Sequence, residues 1–180
     1  PYTTLFRSQT QLGSIFGQEH RFYVPIEQVS QEMKDAIVSA EDQGFYENIG
    51  IDPKGILRAV IHNLLNKSRQ GASTITQQTV KNLFGRKKTD IFTKFKEMID
   101  SFKLERNFTK DQILEFYLNQ FHVTSNGRGI GVAAKYYFNK NVEDLNLVEC
   151  AFIAGSVKGP EKYNPFTKST LAAQENAKQQ

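Results

Sequence analysis

The segment Glu41-Asp42-Gln43-Gly44-Phe45 holds the first pair of side chains that could do chemistry. It closes a stretch with helical periodicity. Counting about 100° per residue from Met33, Glu41 lies about 80° from the apolar stripe and Asp42 about 180° away, facing outward. A carboxylate at the edge of an apolar face, beside a glycine loop, is partly desolvated. Such a group suits general acid–base work. The plainer reading is an ordinary helix-end Glu. A second candidate is Gly71-Ala72-Ser73-Thr74-Ile75-Thr76-Gln77-Gln78, a polar loop running into a helix. Free backbone N–H groups at a helix start favour an anion, and hydroxyls and amides bind sugar or phosphate. Capping by Ser73 or Thr74 explains the hydroxyls equally well, but not the paired Gln residues. Lys81, Arg86, Lys87, Lys88, Lys94, Lys96 and Lys103 follow. They could hold a pyrophosphate, or simply form a solvated basic face. By periodicity, Glu97 sits about 200° from Phe95 and reads as a surface residue. Gly127-Arg128-Gly129-Ile130-Gly131 could let backbone approach a ligand, or be a plain loop. It is not a dinucleotide-binding GxGxxG.

Helices must position these groups. Val29, Met33, Ala36, Ile37 and Ala40 repeat at helical spacing. Asp52-Pro53 reads as a helix start ahead of the stripe Ile56, Leu57, Val60, Ile61, Leu64 and Leu65. The helix begun by Ser73 or Thr74 ends at Gly85. Asp90 caps a long helix with the stripe Ile91, Phe95, Met98, Ile99 and Phe102. Thr109 and Gln112 form a capping box before Ile113, Leu114, Tyr117, Leu118 and Phe121. A short helix follows Gly129, and Leu145 to Ala154 is a further apolar helix. Gly159-Pro160 and Asn164-Pro165 mark an irregular exit. Residues 21–26 form a short extended segment. No internal repeat or strand alternation is present, so the expected fold is all-α and non-bundle.

Composition narrows the function classes. The chain has 180 residues, of which 39% are hydrophobic, enough for one domain with a core and against disorder. Lys and Arg number 23 against 19 Asp and Glu, a net +4 that fits anionic partners without singling out nucleic acid. The single cysteine, Cys150, excludes a disulfide framework and a multi-cysteine zinc site. No run approaches the roughly 18 apolar residues of a membrane span, and no signal peptide is legible. The chain starts at Pro1 and ends in Ala172–Gln180 as if within a helix. Both ends read as cut, so the full protein's anchor is left open.

Read together, the motifs carry a resemblance. Residues 41–52, EDQGFYENIGID, resemble the first signature of the family 51 peptidoglycan glycosyltransferases. These are the transglycosylase domains of class A penicillin-binding proteins and the monofunctional transglycosylases. Residues 71–82, GASTITQQTVKN, resemble the second signature. Lys94-Phe95-Lys96-Glu97 resembles the third, residues 110–119 (KDQILEFYLN) the fourth and residues 128–138 (RGIGVAAKYYF) the fifth. All five occur in family order within residues 17–166. The resemblance implies a lysozyme-like helical fold with a membrane-facing cleft. It also implies polymerisation of lipid II into β-1,4 glycan strands with release of undecaprenyl pyrophosphate. Glu41 then matches the general base and Glu97 a second carboxylate that positions substrate. Asp42 matches an acidic neighbour that helps hold a weakly bound divalent ion, Mg²⁺ or Mn²⁺. Arg58, Lys81, Lys94, Lys96 and Arg128 match substrate-binding cations, and Ser73, Gln77 and Gln78 line the cleft. Tyr117 and Asn119 are expected to support the fold. Two positions depart from the pattern: Asn48 replaces a His, and Thr93 replaces an Arg beside Lys94.

The expected organisation follows. Residues 1–8 read as an adapter-derived scar, 9–28 as an extended lead-in, 29–166 as the glycosyltransferase domain and 167–180 as the start of a further segment. The implied partners are lipid II, the nascent strand, the membrane surface and a C-terminal transpeptidase domain, with no nucleic acid. The implied location is the outer, periplasmic face of the cytoplasmic membrane. The competing readings are a lysozyme-like enzyme that cuts glycan, a degenerate domain that binds lipid II or scaffolds without turnover, and a basic nucleic-acid-binding module.

Overall fold

The structure, a computed structural model, describes residues 3–7, 10–15, 20–65, 71, 73–84, 90–124 and 127–166. Eight helices account for most of them: α1 (Gln31–Glu41), α2 (Pro53–Leu65), α3 (Ile75–Leu83), α4 (Ile91–Asn107), α5 (Lys110–Leu118), α6 (Ile130–Phe138), α7 (Leu147–Ser156) and α8 (Pro160–Tyr163). The fold is all-α and of the lysozyme-like class expected. Five short strands accompany the helices. β1 (Thr3–Arg7) and β2 (Thr10–Ile15) form an antiparallel hairpin. β3 (His20–Arg21), β4 (His122–Thr124) and β5 (Gly127–Arg128) form a small sheet in the order β3-β5-β4, with β3 parallel and β4 antiparallel to β5. Strands of two or three residues are too short to show alternation, so Gly127-Arg128 read as loop. Pro160–Tyr163 likewise forms a helical turn where an irregular exit was expected.

Capping residues start most of the helices. Ser30 caps α1, and Asp90 caps α4. Thr74 with Gln77, Thr109 with Gln112, and Asn146 with Glu149 form capping boxes at α3, α5 and α7. Gly85 and Arg86 to Lys88 lie outside the described residues. The core gathers Met33 and Ile37 of α1, Ile75 of α3, Ile113, Leu114 and Leu118 of α5, Ala133 and Ala134 of α6, and Cys150 and Ile153 of α7, with Phe45 from the loop after α1. The lead-in is stitched to this core. Val24 N–H donates to Asn119 Oδ1 at 2.8 Å, Asn119 Nδ2 donates to the Val24 carbonyl at 2.9 Å, and Ile26 N–H donates to Glu115 Oε2 at 2.7 Å. Asn119 therefore supports the fold, as the motif match implied.

Two helices contradict their apolar periodicity. On α2, Leu57, Ile61, Leu64 and Leu65 are exposed, Leu64 at 81%. On α4, Phe92, Phe95, Ile99 and Phe102 are exposed, Phe92 at 78%, while Glu97 and Ser101 are buried. The polar edge of α4 is the one that packs on α3. These stripe residues are exposed rather than buried in the core, as are Leu83 and Phe84 at the end of α3. Among the described residues, no helix is long and apolar enough to cross a membrane.

Candidate active site

A cleft of 650 Å³ opens between the end of α1, the start of α2 and the loop that enters α3. Glu41 ends α1 and lines this cleft, half-buried. Gln78, one turn into α3, donates from Nε2 to Glu41 Oε2 at 2.9 Å. Oε1 is buried and has no hydrogen-bond partner among the described residues. One oxygen is thus held by a neutral donor, and the other is shielded from solvent and unpartnered, so the carboxylate is partly desolvated. A partly desolvated carboxylate suits general acid–base work. The paired glutamines divide their work. Gln78 lines the cleft, whereas Gln77 is buried in the α3 capping box, its Oε1 accepting from Thr74 N–H at 3.1 Å. Gln77 is therefore not brought to the cleft surface.

Asp42 does not face outward. It is only 8% exposed, because it caps α1 with non-helical backbone and the 100° count no longer applies to it. Asn48 Nδ2 donates to Asp42 Oδ1 at 3.2 Å and Oδ2 at 3.1 Å, and Ile75 N–H donates to Oδ2 at 3.1 Å. Burial raises the Asp42 pKa above the usual aspartate value. The bonds from Ile75 and Asn48 and the charge of Lys110 oppose that rise, and Asp52 adds to it. The Asn at the departing position thus keeps a hydrogen-bonding role toward the site.

Glu97 is the second correction. It is 5% exposed, against the surface position that periodicity gave it. Lys94 Nζ donates to Ser73 Oγ at 2.8 Å and to Glu97 Oε2 at 3.2 Å. Ser73 lines the cleft, so Lys94 links the cleft wall to the buried carboxylate. Thr93, at the other departing position, is occupied at the helix start: its N–H and Oγ1 bond Asp90 at 2.7 and 3.0 Å.

Of the remaining cations, Arg58 lines the cleft. Lys81 and Lys96 are exposed on α3 and α4, outside its lining, and Arg128 sits in β5, also outside. Lys158, just after α7, lines the cleft and escaped sequence reasoning. Its only signal was a lysine preceding Gly159-Pro160.

Among the described residues, Asp42 and Glu97 do not fit a resident divalent ion. Among the described residues, no three His, Cys, Asp or Glu side chains gather as a metal site. Asp42 Oδ2 already accepts two N–H groups, and Glu97 faces Lys94. A divalent cation needs several free oxygens, which these carboxylates lack.

A model of the transglycosylase family matches residues 8–180. The chain is 40% identical to penicillin-binding protein 1A of Neisseria flavescens over 170 residues, which is 94% of this chain and 21% of the relative. It is 42% identical to penicillin-binding protein 1A of Rickettsia conorii over 167 residues, 91% of this chain and 21% of the relative. It is 40% identical to penicillin-binding protein 1A of Aquifex aeolicus over 171 residues, 94% of this chain and 24% of the relative. The chain spans only about a fifth to a quarter of the length of these relatives. With a match that runs through the helices carrying Glu41, Gln78, Lys94 and Glu97, the chain belongs to the transglycosylase family, the peptidoglycan glycosyltransferases.

Proposed function

We propose that this domain polymerises lipid II, with Glu41 as the general base. Glu41 takes the proton from the acceptor's 4-hydroxyl as that oxygen attacks the donor's anomeric carbon. The new C–O bond forms as the bond to pyrophosphate breaks. The electron pair leaves with undecaprenyl pyrophosphate, and the configuration inverts to β-1,4. The observation that carries this reading is the hydrogen bond from Gln78 to Glu41, which holds a half-buried carboxylate on the cleft wall with its second oxygen unpartnered. Arg58 and Lys158 line the cleft and Lys94 bonds its wall at Ser73, and on this reading they neutralise the leaving group. Preorganised charge of this kind lowers the barrier more than the same charge in water. Lys81, Lys96 and Arg128 are further cations for the lipid pyrophosphate as it approaches. A divalent cation would supply positive charge to the pyrophosphate, and neither Asp42 nor Glu97 is free to hold it.

The exposed apolar side chains of α2 and α4 support the membrane as partner. Exposed apolar helix faces mark interaction surfaces. Here the exposed leucines and phenylalanines adjoin the helices that form the cleft. A lipid-linked substrate would therefore pass from the outer leaflet of the cytoplasmic membrane into the cleft. The greater length of the relatives leaves room for a transpeptidase domain in the full protein.

The test is incubation of the domain, anchored to vesicles, with labelled lipid II and Mg²⁺, followed by strand-resolving electrophoresis. Long strands from wild type, and none from Glu41→Gln, are expected. Shortening of preformed strands would favour the lysozyme-like reading. Binding of lipid II without strands would favour the degenerate domain.

A further inference from the structure

We propose that Lys110 and Asn48 act together as positioning residues, clasping Asp42 against the first turn of α3 and thereby setting the Gln78–Glu41 hydrogen bond. The proposal rests on the reading of Glu41 as the base. Lys110 begins α5, four helices after the α1 that Glu41 ends. Its Nζ donates to the Asn48 carbonyl at 2.7 Å, and lies 3.4 Å from Asn48 Oδ1 and 2.7 Å from Glu105 Oε1. It also stands over the Phe45 ring, 4.7 Å from its centroid. Asn48 Oδ1 accepts from Gly50 N–H at 2.9 Å, which turns its Nδ2 toward both oxygens of Asp42. Asp42 in turn accepts from Ile75 N–H, in the first turn of α3. Thr76, in the same turn, donates to Glu105 Oε1 at 2.6 Å. The start of α3 is therefore gripped twice, once through Asp42 and once through Glu105, and Lys110 joins the two grips.

The geometry explains why an Asn suffices at position 48. The cation of the clasp comes from α5, so the side chain at 48 needs only one donor toward Asp42 and one acceptor toward Gly50. A primary amide supplies both. The charged groups around Asp42 are Lys110, Asp52, the adjacent Glu41 and, through Lys110, Glu105. Among the contacts described above, Lys110 touches only Asn48, Glu105 and Phe45. Beyond the charge it presents to Asp42, its effect on the reaction is transmitted by position.

Lys110→Met, Asn48→Leu and the double variant would be compared with Lys110→Arg and Asn48→His. The readouts are strand formation from lipid II and backbone amide hydrogen exchange. In each disruptive single variant, kcat is expected to fall about tenfold or more while KM stays within about twofold. The double variant is expected to lose little beyond the worse single, because parts of one unit are not additive. Exchange at the Ile75 amide should rise, while exchange at the core amides of Ile113 and Leu114 holds. Lys110→Arg and Asn48→His, which keep a donor, should restore most of kcat. Multiplying losses, a loss confined to KM, or unchanged Ile75 exchange would each overturn the proposal. If wild type makes no strand, the reading of Glu41 as the base fails, and Ile75 exchange still decides whether the clasp exists.

Discussion

Lys94 makes two contacts, one to a hydroxyl of the cleft wall and one to a buried carboxylate. Lys94→Ala should leave Glu97 buried without its partner. Because the Lys94 side chain is half-exposed, the expected cost is about 1–2 kcal/mol of stability rather than that of a fully buried pair, read by thermal unfolding. Strand formation should fall further than the stability loss accounts for. Tyr117 gives a prediction of opposite sign. It is 1% exposed, and its hydroxyl has no hydrogen-bond partner among the described residues. Burial, and then the charge of Glu41, raise its pKa well above 10. The folded state therefore holds this proton more tightly than the unfolded chain. The associated stability is complete below the unfolded pKa of about 10 and is lost as pH rises above it. Thermal melts of Tyr117→Phe should show equal or greater stability at neutral pH and a shallower loss above about pH 10. A lower melting temperature at neutral pH would show that the hydroxyl is bonded. At this scale Glu41 was legible, because an acidic side chain at the edge of a stripe stays at that edge in the structure. Asp42 and Glu97 were not. Asp42 leaves helical geometry at the cap, and Glu97 lies on a helix whose polar edge faces inward.

Caps and glycines act at the scale of the element. Thr74→Ala removes the hydroxyl that accepts from Gln77 N–H and donates to the Gly50 carbonyl at 2.7 Å. It should cost about 1–2 kcal/mol and lower strand formation, since the α3 start carries Gln78. Gly129 sits at φ +87°, and a Cβ there would lie 2.8 Å from the Asn119 carbonyl oxygen. Gly129→Ala should therefore destabilise by about 2–3 kcal/mol in denaturant titration. At α3 the sequence leaves Ser73 and Thr74 open as caps and does not mark Gln77 as the partner. The capping box at Thr109, in contrast, could be read from sequence because it is a local pattern of four residues. The β3-β5-β4 sheet could not. It joins residues about a hundred positions apart through strands of two or three residues.

At the scale of the whole molecule, the apolar faces of α2 and α4 set, on the proposed reading, where the cleft works. Their periodicity was plain in the sequence, but periodicity reports an apolar neighbour without saying whether that neighbour is protein or lipid. Leu64→Ser with Phe92→Ser should weaken sedimentation with anionic vesicles several-fold and leave the melting temperature unchanged, because neither side chain packs in the core. A fall in melting temperature instead would assign these residues to the fold. The five family signatures were legible as order along the chain. Their convergence needed the structure, since Glu41, Ser73, Gln78 and Lys94 lie on separate elements.

The central claim is that Glu41 acts in the chemical step rather than in holding substrate. The most direct measurement is lipid II affinity and undecaprenyl pyrophosphate release, made side by side on vesicle-bound wild type and Glu41→Gln. The account predicts equal affinity, within about twofold, and release slowed by about a thousandfold or more in the variant. Release that continues at a wild-type rate, or a loss of affinity that matches the loss of release, would contradict it.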